Sequence, residues 1–126
     1  QAGVDFLAIG QGTVAIANIE DSAGATVVDT WDASVYTAVK YLLVVENVTN
    51  SNQRMAVEMF VMGDDEPTNS AAYSTTYAVL FDAEIGVFSA AGRSSSDLID
   101  LKYTPTATGG TVNHKVRVVA QRIASI

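Results

Sequence analysis

From Val39 to Glu46 the side chains change sides at every residue. Val39, Tyr41, Leu43 and Val45 fall on one face, and Lys40, Leu42, Val44 and Glu46 on the other. A β-strand sends successive side chains to opposite faces, so a two-residue period predicts a strand. The same beat returns at Met55–Met62, Tyr73–Phe81, Ile99–Tyr103 and Val116–Val119, and no sustained helical stripe interrupts it. Strands are expected over roughly 4–9, 12–19, 25–31, 38–48, 54–63, 72–81, 98–104 and 114–123. Turn chemistry separates them: Gly10-Gln11-Gly12, Asp21-Ser22-Ala23-Gly24, Thr49-Asn50-Ser51-Asn52 and Thr108-Gly109-Gly110. The Thr49–Asn52 loop is a hairpin signal that pairs its two flanking strands antiparallel. Asp32–Thr37 is expected to make a single helical turn capped by Asp32 or Ser34. The pattern predicts an all-β fold, an antiparallel β-sandwich of about eight strands, jelly-roll-like or Ig-like, rather than an up-and-down barrel.

Strands 38–48 and 54–63 are apolar on both faces for much of their length. One face is expected against the opposing sheet, the other under a neighbouring subunit or the chain's own ends. Residues 1–19 are rich in Ala, Gly, Val and Ile with few charges, a composition suited to pairing with another chain. The sequence therefore divides into an N-terminal strand segment, 1–26, with a possible inter-subunit role, and a sandwich domain, 27–126. Candidate interface residues are Val4, Phe6, Leu7 and Ile9 in that segment, with Lys115, Arg117 and Arg122 near the other end.

Charge sharpens this picture. The 126 residues carry a formal net charge of −7, which opposes nucleic acid and anionic membrane surfaces as partners. Its distribution is polar: residues 1–39 hold five acids and no Lys or Arg, whereas after Asp100 there are only Lys102, Lys115, Arg117 and Arg122, with His114. Such asymmetry can pair two edges within one molecule or two molecules head to tail. An apolar share of 48% excludes a disordered chain, and no apolar run is long enough to span a bilayer.

Catalytic resources are sparse. There is no cysteine and one histidine, so neither thiolate chemistry nor a zinc site of three N or S ligands can be assembled. His114 lies at a strand entrance, an ordinary surface position, with no serine triad signalled around it. Gly10-Gln11-Gly12 has no third spaced glycine and no helix behind it, so it is no dinucleotide fingerprint. Asp64, Asp65 and Glu66 are weak metal candidates, since their spacing lacks the alternating oxygens and glycine of a calcium loop. Asn47-Val48-Thr49 fits a glycosylation sequon with nothing else to support it. The expectation is a chain that is not an enzyme and carries no cofactor.

A series of motifs gives the sequence a family likeness. Val28-Asp29-Thr30-Trp31 precedes Tyr36-Thr37-Ala38-Val39-Lys40-Tyr41-Leu42, then Glu58-Met59-Phe60-Val61-Met62 and Thr75-Thr76-Tyr77-Ala78-Val79-Leu80-Phe81. Gly86-Val87-Phe88-Ser89-Ala90, Leu101-Lys102-Tyr103-Thr104-Pro105 and Lys115–Ile123 complete it. Over about residues 27–124 this order resembles a β-sandwich module of tailed-bacteriophage virion structural proteins, notably of marine and cyanobacterial hosts. That family often carries a Glu before the central Tyr, where this chain has Thr76.

The resemblance implies a virion structural protein, assembled in the host cytoplasm, acting as capsid decoration or as a neck, tail or fibre module. Its partners would be copies of itself, a trimer foremost, and other virion proteins. Tyr41, Leu43, Val45, Met59, Tyr77, Val79, Phe88, Leu101 and Val118 are expected in the core, and Lys40 and Glu58 are placed to pair across strands. A carbohydrate- or receptor-binding β-sandwich is the alternative, with Trp31, Tyr36 and Tyr73 beside Asp32 and the 64–69 loop as its only candidates.

Overall fold

The computed structural model describes residues 13–20, 23–47, 53–64, 70–81, 85–106 and 113–126, and the side chains from Asn18 onward. Eight strands occupy them: β1 (Thr13–Glu20), β2 (Thr26–Asp32), β3 (Tyr36–Asn47), β4 (Arg54–Asp64), β5 (Ala71–Phe81), β6 (Gly86–Gly92), β7 (Leu98–Pro105) and β8 (Asn113–Ala124). They form two antiparallel sheets facing each other, with orders β1-β8-β3-β4-β5 and β2-β7-β6. The all-β sandwich read from the residue pattern is the architecture of the chain.

The hairpin expected between the two strongest strands is present, with Val39 opposite Val61 and Glu46 opposite Arg54. Asp32 caps a turn, not a helix: its Oδ1 accepts from the amide and hydroxyl of Ser34, which hold its carboxyl below the usual carboxylate range. The segment expected at 4–9 lies outside the described residues. One difference concerns strand assignment. Gly86–Gly92, absent from the strands expected from sequence, is a full strand paired with β7. Its small residues and flanking glycines mask a real alternation, Phe88 buried between exposed Val87 and Ser89.

Within residues 1–26, Thr13–Glu20 runs beside β8 of the same chain, Thr13 opposite Ala120 through Glu20 opposite Asn113, and Ile19 is buried in the core. Val4, Phe6, Leu7 and Ile9 lie outside the described residues.

The core between the sheets is filled by Val39, Tyr41, Leu43 and Val45 of β3 against Ile99, Leu101 and Tyr103 of β7, with Met59 and Val61 of β4 and Val116 and Val118 of β8. Close packing reaches the backbone. A Cβ on Gly86 would lie 2.1 Å from the Tyr103 hydroxyl, and one on Gly92 only 1.8 Å from the carbonyl oxygen of Ser70. Gly86 is therefore required for a close approach between neighbouring strands.

Two expected core residues are outside it. Tyr77 and Val79 are 52% and 47% exposed. The register slips between Glu58 and Met59, so that Ala78 opposes Glu58 and Thr76 opposes Met59, leaving Tyr77 as the extra residue of a bulge. That extra residue turns Tyr77 to the outer face. Val79 keeps the inward direction opposite Val57 but remains half exposed beside the narrower three-stranded sheet.

Candidate functional site

The five-stranded sheet has an outer face that the alternation of β3, β4 and β8 makes apolar. Leu42 and Val44 point outward from β3, Phe60 and Met62 from β4, and Ile123 from β8, each between 38% and 51% exposed. Both faces of β3 and β4 were apolar in sequence, and among the described residues nothing covers the outer one. Lys115 and Arg117 lie exposed on this same face beside Glu46 and Val44, so the fold brings two of the basic interface candidates to the rim of the apolar area.

A polar cluster crosses the face. Lys40 Nζ lies 3.1 Å from Glu58 Oε1, and the Tyr77 hydroxyl donates to the same oxygen at 2.9 Å. The lysine and the tyrosine hold the Glu58 carboxyl below its ordinary range, and the glutamate in turn raises the lysine. Lys40 and Glu58 are thus paired as expected, diagonally, because Lys40 stands opposite Phe60 and Leu42 opposite Glu58. Lys40, Phe60, Tyr77, Gln121 and Ile123 line an open groove of about 340 Å³.

At one end of the sheet β5 pairs, among the described residues, only with β4. It is exposed on both sides: Tyr73, Tyr77 and Leu80 at 54%, 52% and 72%, and Val79 and Phe81 near one half. Along its eleven residues it bears no charge. Its first residues are anchored where the Ser70 hydroxyl donates to the carbonyl of Ser96 and Ser70 abuts Gly92.

The third basic candidate has a different position. Arg122 points between the sheets, and its Nη2 reaches both oxygens of Asp29, at 2.8 and 3.0 Å. The Tyr41 hydroxyl donates to Asp29 Oδ2 at 2.7 Å. The Arg122 guanidinium also lies 5.9 Å from the centre of the Tyr36 ring. Asp29 and Arg122 are only 13% and 14% exposed, so the pair ties β2 of one sheet to β3 and β8 of the other. Burial, with Asp29 close by, pushes the Tyr41 phenol well above its ordinary range and keeps it a neutral donor. Asp29 faces inward because the β2 register shifts between Val27 and Asp29, a bulge that reverses simple alternation.

A second carboxylate sits on the outside of the smaller sheet. Asp100, 5% exposed, accepts from Arg93 Nε at 2.7 Å, from Arg93 Nη2 at 2.8 Å and from Thr30 at 2.8 Å. The Arg93 bonds, against the opposing effect of burial, hold its carboxyl below the usual carboxylate range. A carboxyl lowered by folding contributes stability above its unfolded pKa and loses it as pH falls through the folded value. The denaturation midpoint of the wild-type chain should exceed that of Asp100→Asn at neutral pH, and the gap should narrow from about pH 5 to about pH 3.

His114, expected at the surface, is fully buried. Its Nδ1 lies 2.8 Å from the Tyr103 hydroxyl, which donates to the Ile85 carbonyl at 3.0 Å. With one proton on that oxygen, Nδ1 must be the donor toward Tyr103 while the Ile85 bond is kept. Trp31 is buried at 3% exposure and cannot serve as a stacking platform, whereas Tyr73 is open to solvent. The Asn47 amide is buried and donates to Gln53 at 3.0 Å, which makes it unsuited to carry a glycan. Asp64 ends β4, Asp65 and Glu66 lie outside the described residues, and among the described residues no three His, Cys, Asp or Glu side chains are grouped to hold a metal.

What the geometry offers is a surface. The sequence signal for its central part was the double-sided apolar character of β3 and β4; the signal for β5 was missed because its apolar residues were assigned inward. No protein-family model matches the chain, and no curated protein sequence matches it significantly.

Proposed function

We propose that this chain is a structural module of a tailed-phage virion, non-enzymatic, acting by association with copies of itself and by docking on other virion proteins. The observation that carries the reading is the apolar outer face of the five-stranded sheet, from Leu42 and Val44 through Phe60 and Met62 to Ile123. Apolar side chains gathered on one exposed sheet face, around a polar cluster, mark a protein–protein surface. The ordered motif series between Val28 and Ile123 supplies the virion context. Many copies held together in a particle raise effective concentration, so each interface can be modest and still hold.

Immunogold labelling of particles of the encoding phage, with an antibody raised against this chain, tests the reading. Label at one recurring place on the particle is the expected outcome. Intact particles free of label, from lysates that contain the chain, would overturn it.

The groove between Phe60 and Tyr77, with Lys40 and Gln121 at its sides, favours a second reading, a carbohydrate- or receptor-binding module. Titration with a glycan array compound set, followed by amide shifts, would then perturb Phe60 and Tyr77 together.

A further inference from the structure

We propose that two copies of this chain pair edge to edge through β5, antiparallel across a two-fold axis near Thr75 and Thr76, joining two five-stranded sheets into one of ten. The inference rests on the reading of the chain as a self-associating module, and it names the edge and the symmetry.

The first argument is backbone chemistry. An edge strand carries a row of N–H and C=O groups ready for another strand, and proteins that remain single blunt such edges with lysine, proline, bulges or very short strands. β5 is eleven residues long and holds neither lysine nor proline; its one bulge, at Tyr77, lies near the middle and leaves Ala71–Thr76 and Ala78–Phe81 as regular strand on either side. Its flanks differ from those of the other edges: β1 ends in Glu20, β2 contains Asp29 and Asp32, and β6 is seven residues long and runs into Arg93.

The second argument is self-complementarity. With no charge on β5, two copies meet without like-charge repulsion. The strand is also graded in size: Ala71, Ala72, Ser74 and Thr75 lie toward its start, and Val79, Leu80 and Phe81 toward its end. A two-fold axis at the middle, with the Tyr77 bulge of each copy passed, sets residues of like face together: Phe81 across from Ala72 and Val79 across from Ser74 on the inward face, and Leu80 beside the other copy's Tyr73 on the outward face. A parallel arrangement would stack large on large.

The third argument is area. The exposed parts of Tyr73, Tyr77, Val79, Leu80 and Phe81 amount to roughly 500 Å² per copy, so these side chains can contribute at most about 1,000 Å² to a symmetric pair, the scale at which a specific interface begins. Pairing also brings the two outer apolar faces into one continuous surface for a further partner. A two-fold edge contact builds assemblies of even number, in place of the trimer that the sequence reading favoured.

Light scattering of the wild-type chain, Thr75→Lys, Thr75→Glu and an equimolar mixture of the two variants tests the pairing. Thr75 is exposed, so neither substitution disturbs the core. The wild type should run at twice the 13.3 kDa chain mass. Each variant alone should dissociate at least about tenfold more readily, since like charges meet near the axis, and the mixture should regain the pair. A wild type monomeric at every concentration would overturn both the pairing and self-association. An oligomer indifferent to Thr75→Lys and Thr75→Glu would overturn the β5 pairing alone and leave self-association standing.

Discussion

Replacing Gly86 with alanine is expected to destabilise the chain by about 3 kcal/mol or more, the range of severe overpacking. The new Cβ would fall 2.1 Å from the Tyr103 hydroxyl and 2.3 Å from its Cζ, contacts that cannot persist. Tyr103 has nowhere to retreat. It is fully buried, its ring packs 4.9 Å from Phe88, and its hydroxyl is engaged by His114 and the Ile85 carbonyl. Moving the ring would leave a buried histidine nitrogen and a buried carbonyl poorly satisfied, a cost of about 1–3 kcal/mol in its own right. Urea denaturation of Gly86→Ala measures the effect. The clash is identified by repeating the substitution in a Tyr103→Leu background, where Gly86→Ala should cost much less. Equal costs in both backgrounds would point away from Tyr103.

Arg122→Met is expected to cost about 3 kcal/mol, because it leaves the Asp29 carboxylate largely buried with only the Tyr41 hydroxyl as its remaining partner in this network. Most of that loss is the uncompensated charge. The double variant Asp29→Asn with Arg122→Met should therefore recover a substantial part of it, as paired removal does when a buried ion is neutralised with its partner. Thermal or urea unfolding of the two single variants and the double variant decides this. A negligible loss for Arg122→Met would show that the sheets are held together by the apolar core alone. The same experiment separates an internal clasp from a surface contact, since the measured quantity is stability, independent of any partner.

Much of the fold was legible because strand periodicity is local. In β3, β4, β7 and β8 one face is sealed against the opposing sheet, and burial there leaves alternating Val, Leu, Tyr and Met that can be read without a structure. Asn, Gly and Ser clusters located the connections for the same reason. β6 was not legible because it is short and built from small residues, so its alternation is carried by Phe88 alone. Arg122 read as one more basic residue near a terminus, although the alternation sets it apart: seven residues from Lys115 and five from Arg117, it falls on the buried face of Val116, Val118 and Ala120.

The sequence by itself determined the class of fold, the pairing of β3 with β4, the poverty of catalytic groups and the apolar character of both faces of the central strands. Each follows from composition or from a two-residue period. The tertiary structure decided what periodicity cannot carry. One bulge turned Asp29 inward to meet Arg122, and another turned Tyr77 outward to meet Glu58. A bulge is a single extra residue whose effect is to reverse every face beyond it, and its position is set by the neighbouring strand. The unequal widths of the two sheets left β5 exposed on both faces, because burial depends on what stands opposite and not on the residues themselves.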